Sequence, residues 1–560
     1  MKLVFDIEAN GLNELTLNKK GEPQKEVTKV HCLVTKNIDT GEINVYTETN
    51  MESGITALRN ADLLIGHNIT LYDVPVLVRL FGPIRTRKLD TLIVSRMMYP
   101  EKSQNPLGGN SLACWGKHLG FKKMDYDGGW HRLSQDMIDY CIRDVEVNEK
   151  IWLAQQNFIS KYNKSITLEH IVTDIIATQI ENGIAFDLTQ ATRLDTLLSV
   201  EKAEIEDTLR CIFPAKTEIR VSEKTGKRLK DKITIFNPGS RQQIAERLYD
   251  KYKWVSPKTE KGNPKVDSDV LKSLDFPEAS KLASYFDLTK MQSQVKDWCT
   301  RSSNSRDGRI HGNVNPQGTV TGRMTASQPN LQQVNSDPRM RSLFLPTKGN
   351  VMVGIDASGL EARMLASRMA KYDNGKYAEV ILSSDIHDYN MIQAGIDSRA
   401  VCKTFFYGFI YGAGDDKISK ITGQNGRTLK QRFLRNMPAL KKLIDEVKFQ
   451  VAKKKTITLL DGREVPCRSE HAALNVQLQG DGAIVMKLAQ AILHTKINKT
   501  KEVKFMATVH DEWQLECPAE IAEDIGRAGV ESIITAGEKL KVQMPLDGEY
   551  KIGNNWSETH

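Results

Sequence analysis

The chain has 560 residues, of which 40% are hydrophobic and 26% are charged, and its formal net charge is +8. This composition is typical of globular proteins and provides enough apolar residues for large cores in three or four domains. No apolar run is long enough to cross a bilayer, which excludes a membrane-spanning protein. The small basic excess suits a protein that binds polyanions but does not by itself indicate one.

The cysteines and the N-terminal residues indicate a compartment. The eight cysteines are scattered and no two form a Cys-X-X-Cys pair, so we expect neither a zinc ribbon nor a disulfide framework. Asp6 stands where the apolar core of a signal peptide would begin. We therefore expect a cytoplasmic protein with no membrane partner.

The predicted elements divide the chain near residue 160. Residues 1–12 are predicted to form a strand, 61–80 an apolar stretch that ends in a helix, and 134–160 a helix. This pattern predicts an α/β domain. Residues 165–212 and 240–300 are predicted to be mostly helical.

A boundary rich in proline and glycine follows at 315–322. After it, 351–355 is predicted to be a buried strand, 385–450 helical, and 505–516 a second region of strand. The later part of the chain therefore mixes helices with a few strands.

The segment 216–232 is rich in lysine and arginine and poor in acids. A solvated surface loop explains this composition as well as a loop that contacts a phosphate backbone or a protein partner. The sequence leaves the choice open.

Four acids in the first domain suggest a metal site. Asp6 and Glu8 lie two apart on a predicted strand and therefore point to one face, and further acids follow at Asp73 and Asp144. Such hard oxygen ligands suit a pair of Mg²⁺ or Mn²⁺ ions, which can activate water and stabilise the leaving oxygen of a phosphodiester. Tyr140 lies one helical turn before Asp144, where its hydroxyl could orient that water. Any one of these acids alone would more simply belong to a turn.

The motifs DIEANGL, HNxxxYD and YxxxD, in this order over about the first 150 residues, resemble the DEDDy exonuclease family. The resemblance implies an RNase H-like α/β domain with a mixed sheet over residues 1–160 and 3′→5′ exonuclease activity. It also implies that Asp6 bridges two ions, that Glu8 and Asp144 hold one of them, and that Asp73 supports the other.

A second set of residues lies in the segment RAVCKTFFYGFIYGAG at 399–414. Arg399, Lys403, Tyr407 and Tyr411 are each four apart, so on a helix they form one stripe of two cations followed by two rings. Such a stripe fits a nucleotide, with the cations at the triphosphate and the first ring against base and sugar. Taken alone, it could equally be a solvated helix face.

Two further segments contribute carboxylates. Asp356 ends the apolar strand in GIDASGLEARMLA, and Asp511 and Glu512 follow a short apolar run in ATVHDEWQLE, as in a tight turn between two strands. Taken alone, the second pair could be an ordinary hairpin turn. The order of the three segments is what makes the set specific.

Together the three segments resemble motifs A, B and C of family-A DNA polymerases, over most of the chain and most closely in replicative enzymes of short-tailed bacteriophages. Those phage enzymes also begin directly with the exonuclease. The resemblance implies a right-hand polymerase domain over 161–560, with an α+β palm and a helical thumb and fingers. The implied limits are about 190–300 for the thumb, 373–470 for the fingers, and 301–372 with 471–560 for the palm.

The resemblance also implies the roles of individual residues. Asp356 and Asp511 would hold two Mg²⁺ ions, with the Ala357 carbonyl as a further ligand, and Lys403 would protonate pyrophosphate. Glu361 would exclude a ribose 2′-hydroxyl, and Tyr407 would accept dideoxynucleotides readily. The remaining implied contacts are Arg399, Lys403, His387 and Tyr411 for the nucleotide, Arg323, His471, Asn475 and Gln479 for the minor groove at the primer terminus, and His510 and Glu512 for the primer end. Minor-groove acceptors occur in every Watson–Crick pair, so donors there can check pair geometry without reading sequence. Without the neighbouring motif, Asn475 and Gln479 would be ordinary surface amides.

The implied partners are primer–template DNA and dNTPs, and a replicative helicase–primase is a candidate. Phage relatives that use thioredoxin as a clamp have a long insertion in the thumb, whereas the comparable stretch here, about 214–234, is short. We therefore do not expect a thioredoxin clamp.

Three alternatives remain from the sequence. A single-subunit RNA polymerase shares a related palm, but Glu361 and the exonuclease motifs argue against it. A repair nuclease whose polymerase half only binds DNA would degrade without extending. A non-catalytic binder would lack at least one metal-binding carboxylate, and none is missing here.

Overall fold

The structure is a computed structural model that describes residues 1–11, 17–18, 21–23, 25–101, 103, 105–222, 224–497 and 502–560. The chain forms two compact units: one consists of Met1–Ala185, His311–Gln333 and Leu345–His560, and the other of Phe186–Ile310 and Val334–Phe344. Within the described ranges, no helix combines the length and apolarity that a membrane span requires. The predicted limits of thumb, palm and fingers remain predictions.

The N-terminal part of the first unit is a five-stranded sheet with helices on both faces. Its elements are β1 (Lys2–Ala9), β2 (Val30–Asn37), β3 (Ile43–Thr47), α1 (Met51–Asn60), β4 (Leu63–Gly66), α2 (Asp73–Phe81), β5 (Lys88–Asp90), α3 (Thr91–Met98), α4 (Leu112–His118), α5 (Gln135–Lys161) and α6 (Asn163–Asn182). The strand order is β3-β2-β1-β4-β5, and β1 is antiparallel to β2 and parallel to β4. The sheet is therefore mixed, as predicted.

Alternation along β1 fills two cores. Leu3 and Phe5 pack on one face with residues of α1 and α2, whereas Val4 packs on the other with Cys141 and Val145 of α5. The period of two in an apolar strand explains this, since both faces of the sheet are covered. The central strand is thus held on both sides.

The second unit is mainly helical. After β6 (Ala185–Phe186) it contains α7 (Leu188–Ile212), β7 (Lys216–Glu218), β8 (Lys232–Thr234), α8 (Arg241–Tyr252), α9 (Ser268–Lys272), α10 (Ala279–Asn304) and α11 (Pro338–Arg341). Phe213, Phe236, Leu248 and Leu282 form its core. The predicted helices at 165–212 are α6 and α7, and 240–300 contains α8 to α10 with a non-helical stretch between α8 and α9.

The basic segment 216–232 is a β-hairpin rather than a loop. β7 pairs antiparallel with β8, and an isolated bridge joins Val221 to Arg228. Ile219, Val221 and Ile233 are each more than half exposed. The strands are too short for alternation to show in the sequence, which is why a loop was expected.

The rest of the first unit begins with short strands and continues into a helical region. These elements are β9 (Asn313–Asn315), β10 (Thr325–Ser327), β11 (Phe344–Leu345), β12 (Asn350–Ala357), α12 (Leu360–Asp373), α13 (Lys376–Ser383), α14 (Ile386–Ala394), α15 (Arg399–Ile410), α16 (Asp415–Thr422), α17 (Gly426–Asn436), α18 (Pro438–Lys454), β13 (Thr456–Thr458) and β14 (Glu464–Pro466). The predicted helical region at 385–450 therefore comprises five helices, α14 to α18.

A four-stranded antiparallel sheet completes this unit. Its last elements are α19 (Ala473–Ile497), β15 (Lys504–Val509), β16 (Glu512–Pro518), α20 (Ala522–Lys539) and β17 (Gly548–Gly553). The order is β15-β16-β12-β17, and Val353, Ile355, Trp513 and Leu515 join the core beneath it. The strand that precedes Asp356 is thus buried at the centre of the sheet, as predicted.

Candidate active sites

The four predicted acids of the N-terminal domain lie together. Asp6 and Glu8 project from β1, Asp73 is the first residue of α2, and Asp144 lies on α5. The backbone N–H of Ile7, between Asp6 and Glu8, donates to the Asp73 carboxylate at 3.3 Å. The four acids thus come together from β1, the start of α2 and one face of α5, as the spacing predicts.

The turn that delivers Asp73 is fixed by another acid. The carboxylate of Asp90 accepts hydrogen bonds from the backbone N–H groups of Asn68 at 2.8 Å and Thr70 at 3.0 Å. At Gly66, a Cβ would lie 2.0 Å from the Ile69 side chain, so only glycine allows the turn to pack this closely. Asp90 was not singled out from the sequence because its role depends on this fold.

These acids are largely buried, and the burial changes their acidity. Burial, followed by the charge of Asp144, raises the pKa of Glu8 to about 9, and burial raises that of Asp73 to about 7. The Oδ1 atom of Asp144 is buried without a hydrogen-bond partner. Clustered acids with an unpartnered oxygen form a donor set that suits a hard divalent cation.

A lysine that the sequence did not predict lies in this site. The Nζ atom of Lys123 forms an ion pair with Asp144 Oδ2 and lies 4.4 Å from the centre of the Tyr140 ring. Tyr126 and Trp130 also pack on Tyr140, with ring centres 5.3 and 6.2 Å away. Tyr140 lies beside Asp144 as predicted, but no motif spacing indicates Lys123, because it comes from an irregular segment.

A cysteine was also missed. The Cys141 thiol lies 3.5 Å from the Asp6 carbonyl oxygen and 3.7 Å from Asp6 Oδ2. Among the described residues, ligand atoms of Asp6, Glu8 and Cys141 lie within 4.8 Å of one another. Its position next to Tyr140 in sequence is the one signal that could have suggested it.

The second group of acids lies at one end of the four-stranded sheet. β12 and β16 are neighbours, with Asp356 opposite Glu512, and the backbone N–H of Ala357 donates to the Asp511 carbonyl at 3.1 Å. His510 has φ +54°, which makes the tight turn between β15 and β16. Asp356 and Asp511 therefore meet at adjacent strand ends, as predicted.

These two carboxylates also have raised pKa values. Although Asp356 is exposed at the rim of the sheet, desolvation by the surrounding protein, followed by the charges of Glu512 and Asp511, raises its pKa to about 7. Burial raises the pKa of Asp511, and the Arg323 guanidinium opposes this shift. A divalent cation would offset the repulsion, and two carboxylates beside the Ala357 carbonyl are a suitable donor set for it.

Glu512 is bound by its own surroundings. Its carboxylate accepts from Gln514 Nε2 at 2.5 Å and from Trp556 Nε1 at 3.0 Å, and His560 Nδ1 lies 2.5 Å from the other oxygen. The side chain is buried. These contacts place Glu512 as an anchor for the end of β16, and its contact with a primer remains a prediction.

Glu361 joins two other predicted residues. Arg323 Nη2 donates to Glu361 Oε1 at 2.7 Å, and the Tyr411 hydroxyl donates to Glu361 Oε2. Glu361 is buried, and Arg323 is partly exposed. Glu361, Arg323 and Tyr411 therefore form a single hydrogen-bonded group. It joins the residue predicted to exclude a 2′-hydroxyl, a predicted minor-groove donor and one ring of the stripe.

The predicted stripe lies on α15, but this helix ends earlier than its predicted end at residue 414. It ends at Ile410, Tyr411 is its C-cap, and Gly412 has φ +77°. A Cβ on Gly412 would lie 2.6 Å from the His471 carbonyl oxygen, so glycine both terminates the helix and permits this close approach. Arg399, Lys403 and Tyr407 still share one helical face.

Two residues of α14 flank this face. The His387 ring lies 6.1 Å from that of Tyr407, and its Nδ1 atom has no hydrogen-bond partner. Asp385, the N-cap of α14, forms an ion pair with Arg399. Asp385 belongs to the segment SDIHDYN, but no spacing in the sequence connects it to Arg399.

The predicted DNA contacts of α19 are accessible. Asn475 and Gln479 lie one turn apart and are partly exposed, and His471 is exposed just before the helix. The Oδ1 atom of Asn475 is itself buried and has no hydrogen-bond partner. A ligand can therefore reach these side chains only through their exposed parts, and their contact with DNA remains a prediction.

A buried ionic cluster supports the turn that carries Arg323. Glu169 of α6 is fully buried and accepts from Lys487 Nζ at 2.7 Å, Arg463 Nη1 at 2.6 Å and Gln317 Nε2 at 2.9 Å. At Gly322, a Cβ would lie 4.0 Å from Lys487 Nζ. No local pattern indicates this cluster, because Glu169 lies more than 290 residues before both Arg463 and Lys487 in the chain.

The model of DNA polymerase family A matches residues 214–558. The chain belongs to DNA polymerase family A. This polymerase is 30% identical to the DNA-directed DNA polymerases of Enterobacteria phage T3 and Escherichia phage T7, with all of this chain and all of each phage protein covered. It is 26% identical to DNA polymerase I of Aquifex aeolicus over 93% of this chain and 92% of that protein. The predicted family is confirmed, and with it the predicted activity of template-directed DNA synthesis.

The fold agrees with a solved family member. The POL domain of Pol1 from M. smegmatis, solved in complex with DNA primer-template and dNTP, superposes with a TM-score of 0.79 at 18% identity, covering 99% of this chain and 96% of that one. This likeness confirms the predicted fold class. The alignments with the two phage proteins span 719 positions, against 560 residues here, so those proteins contain segments that this polymerase lacks.

Proposed function

We propose that this polymerase extends a primer at Asp356 and Asp511 and edits the same 3′ end at a separate site formed by Asp6, Glu8, Asp73 and Asp144. The observation that carries the proposal is the presence of two distinct carboxylate groups. One lies on β1, α2 and α5, and the other at the end of β12 and in the turn before β16. Each contains the hard oxygen ligands that two-metal phosphoryl transfer requires. A chain with one such group would carry out one of the two reactions.

In synthesis, Asp356, Asp511 and the Ala357 carbonyl would hold two Mg²⁺ ions, for which Mn²⁺ can substitute. The bound ions would lower the pKa of the primer 3′-hydroxyl and neutralise the departing pyrophosphate. Arg399, Lys403 and His387 bind the triphosphate, and Lys403 donates the proton that pyrophosphate needs. The exposure of Lys403 supports this role, because an incoming nucleotide can reach it.

Selection of the nucleotide depends on the group of Glu361, Arg323 and Tyr411. Glu361 excludes a ribose 2′-hydroxyl, while Tyr407 packs against the sugar. Arg323, the donor aimed at the minor groove, and Tyr411, the ring near the templating base, both hydrogen-bond to the Glu361 carboxylate and hold it in place. Tyr411 releases Glu361 when it stacks on the template, so base pairing and sugar selection are linked.

In editing, Asp6, Glu8, Asp73 and Asp144 hold the ions and Tyr140 orients the attacking water. A mispaired terminus presents distorted minor-groove acceptors to Arg323, Asn475 and Gln479, with His471 and His510 nearby, and extension slows. The frayed strand then has time to reach the editing site, so fidelity arises from competition between rates.

The likeness to the phage T3 and T7 enzymes supports a role in copying a phage genome in the cytoplasm of the host. A replicative helicase–primase is the partner that this role requires. A thioredoxin clamp is not part of the proposal, because the segment 214–234 is a short hairpin region.

The test uses a 5′-labelled primer on a longer template with Mg²⁺, with and without dNTPs. Extension with dNTPs and 3′ shortening without them are expected. The Asp6→Ala/Glu8→Ala variant should extend without shortening, and the Asp356→Asn variant should shorten without extending. Loss of both reactions in either variant, with folding intact, would refute two separate sites.

A further inference from the structure

Lys123 lies in the editing site, although no exonuclease motif in the sequence includes it. It belongs to the irregular segment between α4 and α5, residues 119–134, which is mostly exposed. Phe121 anchors the start of this segment, with Arg143 4.2 Å and Lys150 4.7 Å from the centre of its ring. Lys123 lies two residues after Phe121, and its ammonium group points towards the carboxylates.

The contacts of Lys123 are with the two residues that sequence motifs placed in the editing reaction. Its Nζ atom pairs with Asp144 Oδ2 and lies over the Tyr140 ring at 4.4 Å. The Asp144 side chain is 5% exposed and that of Lys123 is 25% exposed. The ion pair is therefore shielded from water on the carboxylate side, where a charge partner has its largest effect.

The two oxygens of Asp144 differ in their surroundings. Asp144 Oδ1 is buried and makes no hydrogen bond, whereas Oδ2 is held by Lys123. A buried carboxylate oxygen without a partner costs free energy unless a cation or donor reaches it. One oxygen of the carboxylate thus has a cation as its partner, and the other has no hydrogen-bond partner.

We propose that Lys123 is a positioning residue of the editing site that competes with the metal ion for Asp144. This inference rests on the proposed exonuclease function. Lys123 holds Asp144 and Tyr140 in place before the ion arrives, and it withdraws from Oδ2 when the ion binds, since two cations on one small carboxylate repel each other. The exposed, irregular segment 119–134 lets it withdraw without disturbing α5. Lys123 therefore sets the divalent-ion concentration at which editing begins.

The first test measures metal binding and not activity. Asp356→Asn is introduced throughout to weaken the polymerase site, and Mn²⁺ binding is followed by electron paramagnetic resonance without DNA. Removing the competing charge in Lys123→Met should tighten the binding that depends on Asp6 and Glu8 by about tenfold, the scale of one charge-assisted hydrogen bond. Lys122→Met, at the exposed neighbouring lysine, is the matched control and should bind as the parent does.

Restoring the charge discriminates competition from a packing effect. Lys123→Arg keeps a cation at this place and should retain an affinity within about twofold of the parent, whereas a purely structural role predicts that Met and Arg variants behave alike. Equal Mn²⁺ affinity in the Met variant and the parent, or weaker affinity in the Met variant, would overturn the proposal.

The second test follows 3′ shortening as a function of Mg²⁺ concentration in otherwise unmodified enzyme. The half-activating concentration should fall about tenfold in Lys123→Met and stay unchanged in Lys122→Met, with primer extension as the check on folding. If the parent enzyme never shortens a primer at any Mg²⁺ concentration, the proposed exonuclease function fails, while the Mn²⁺ measurement still decides the role of Lys123. If the parent shortens primers but the Met variant has the same Mg²⁺ dependence, the competition is refuted.

Discussion

The two carboxylate groups of this polymerase contain the same kinds of residue in different surroundings. On β1, Glu8 is 7% exposed and Asp144 of the facing helix 4%, and Lys123 pairs with the latter. At the end of β12, Asp356 is exposed, and the nearby cation, Arg323, pairs with Glu361. The first group lies inside a domain between a sheet and a helix, whereas the second lies on the rim of a sheet.

This difference shows that metal-ligand residues alone do not fix how a site behaves. Burial makes the editing carboxylates costly to ionise, so their charge depends on a cation, whether Lys123 or a metal ion. The polymerase carboxylates lie at the rim of a sheet, and Glu361, Arg323 and Tyr411 form a hydrogen-bonded group near them. The following predictions test this contrast, beginning with the largest effect.

Removing one ligand from the polymerase group should separate the two reactions. Asp356→Asn is expected to lower the rate of primer extension by at least about a thousandfold, because the developing charge loses its preorganised stabilisation. Its 3′ shortening activity should stay within about twofold. Single-turnover extension and shortening assays on the same primer measure both. A comparable loss of shortening would mean that the two groups do not act independently.

The buried ionic cluster at Glu169 should stabilise the fold that contains both carboxylate groups. Replacing Glu169 by Gln leaves the buried charges of Lys487 and Arg463 without an anionic partner at that point, and we expect a loss of about 3 kcal/mol in unfolding free energy. Denaturant unfolding followed by circular dichroism measures it.

Glu181→Gln is the matched control, since Glu181 is exposed on the same helix, and its effect should stay below about 0.5 kcal/mol. An equal effect of the two substitutions would show that the cluster contributes nothing particular.

Glu361 should control sugar selection only in the polymerase. Glu361→Ala is expected to lower the preference for dNTPs over rNTPs by roughly 10- to 100-fold, because a 2′-hydroxyl no longer meets a carboxylate held in place by Arg323 and Tyr411. The ratio of kcat/KM values for a matched dNTP and rNTP measures this. Tyr411→Phe removes one hydrogen bond and should produce a smaller change. Unchanged selectivity in Glu361→Ala would refute the proposed role of Glu361 in excluding a ribose 2′-hydroxyl.

The smallest expected effect is a pH dependence of stability that comes from the editing site. The pKa of Glu8 in the folded chain, about 9, lies above the usual value of 4.5 for a glutamate side chain. A carboxyl group with a raised folded pKa stabilises the fold fully below its unfolded pKa, and this contribution is lost as pH rises through the folded pKa. Without divalent ions, the melting temperature should therefore fall between about pH 5 and pH 9.

Differential scanning fluorimetry at pH 5, 7 and 9, with EDTA or with Mn²⁺, checks this. Mn²⁺ should raise the melting temperature by roughly 2–4 °C more at pH 9 than at pH 5, and Glu8→Gln should flatten the pH dependence measured in EDTA. An Asp356→Asn variant that flattens it equally would contradict the contrast between the two groups.

Much of the molecule was predictable from local pattern. The strand before Asp6, the helix that places Tyr140 one turn before Asp144, and the turn at Asp511 follow from periodicity and spacing, which act over a few residues. The order of the motifs then predicted the family, which the comparison with known proteins confirms. Residue types and spacing suffice here because each motif is a short continuous stretch of chain, within one element or across the turn between two consecutive elements.

The tertiary structure decided the features that connect separate elements. Lys123 reaches Asp144 from an irregular segment, Asp385 pairs with Arg399 across two helices, and Glu169 meets Lys487 more than 300 residues away. Helix α15 ends at Ile410, two residues before Gly412, which is a local signal, but the close approach of Gly412 to the His471 carbonyl was decided by tertiary packing. The sequence by itself determined which carboxylates could hold metal ions. Only the packing of distant elements decided which cation neutralises each of them, since charge pairing depends on distance in space and not on distance along the chain.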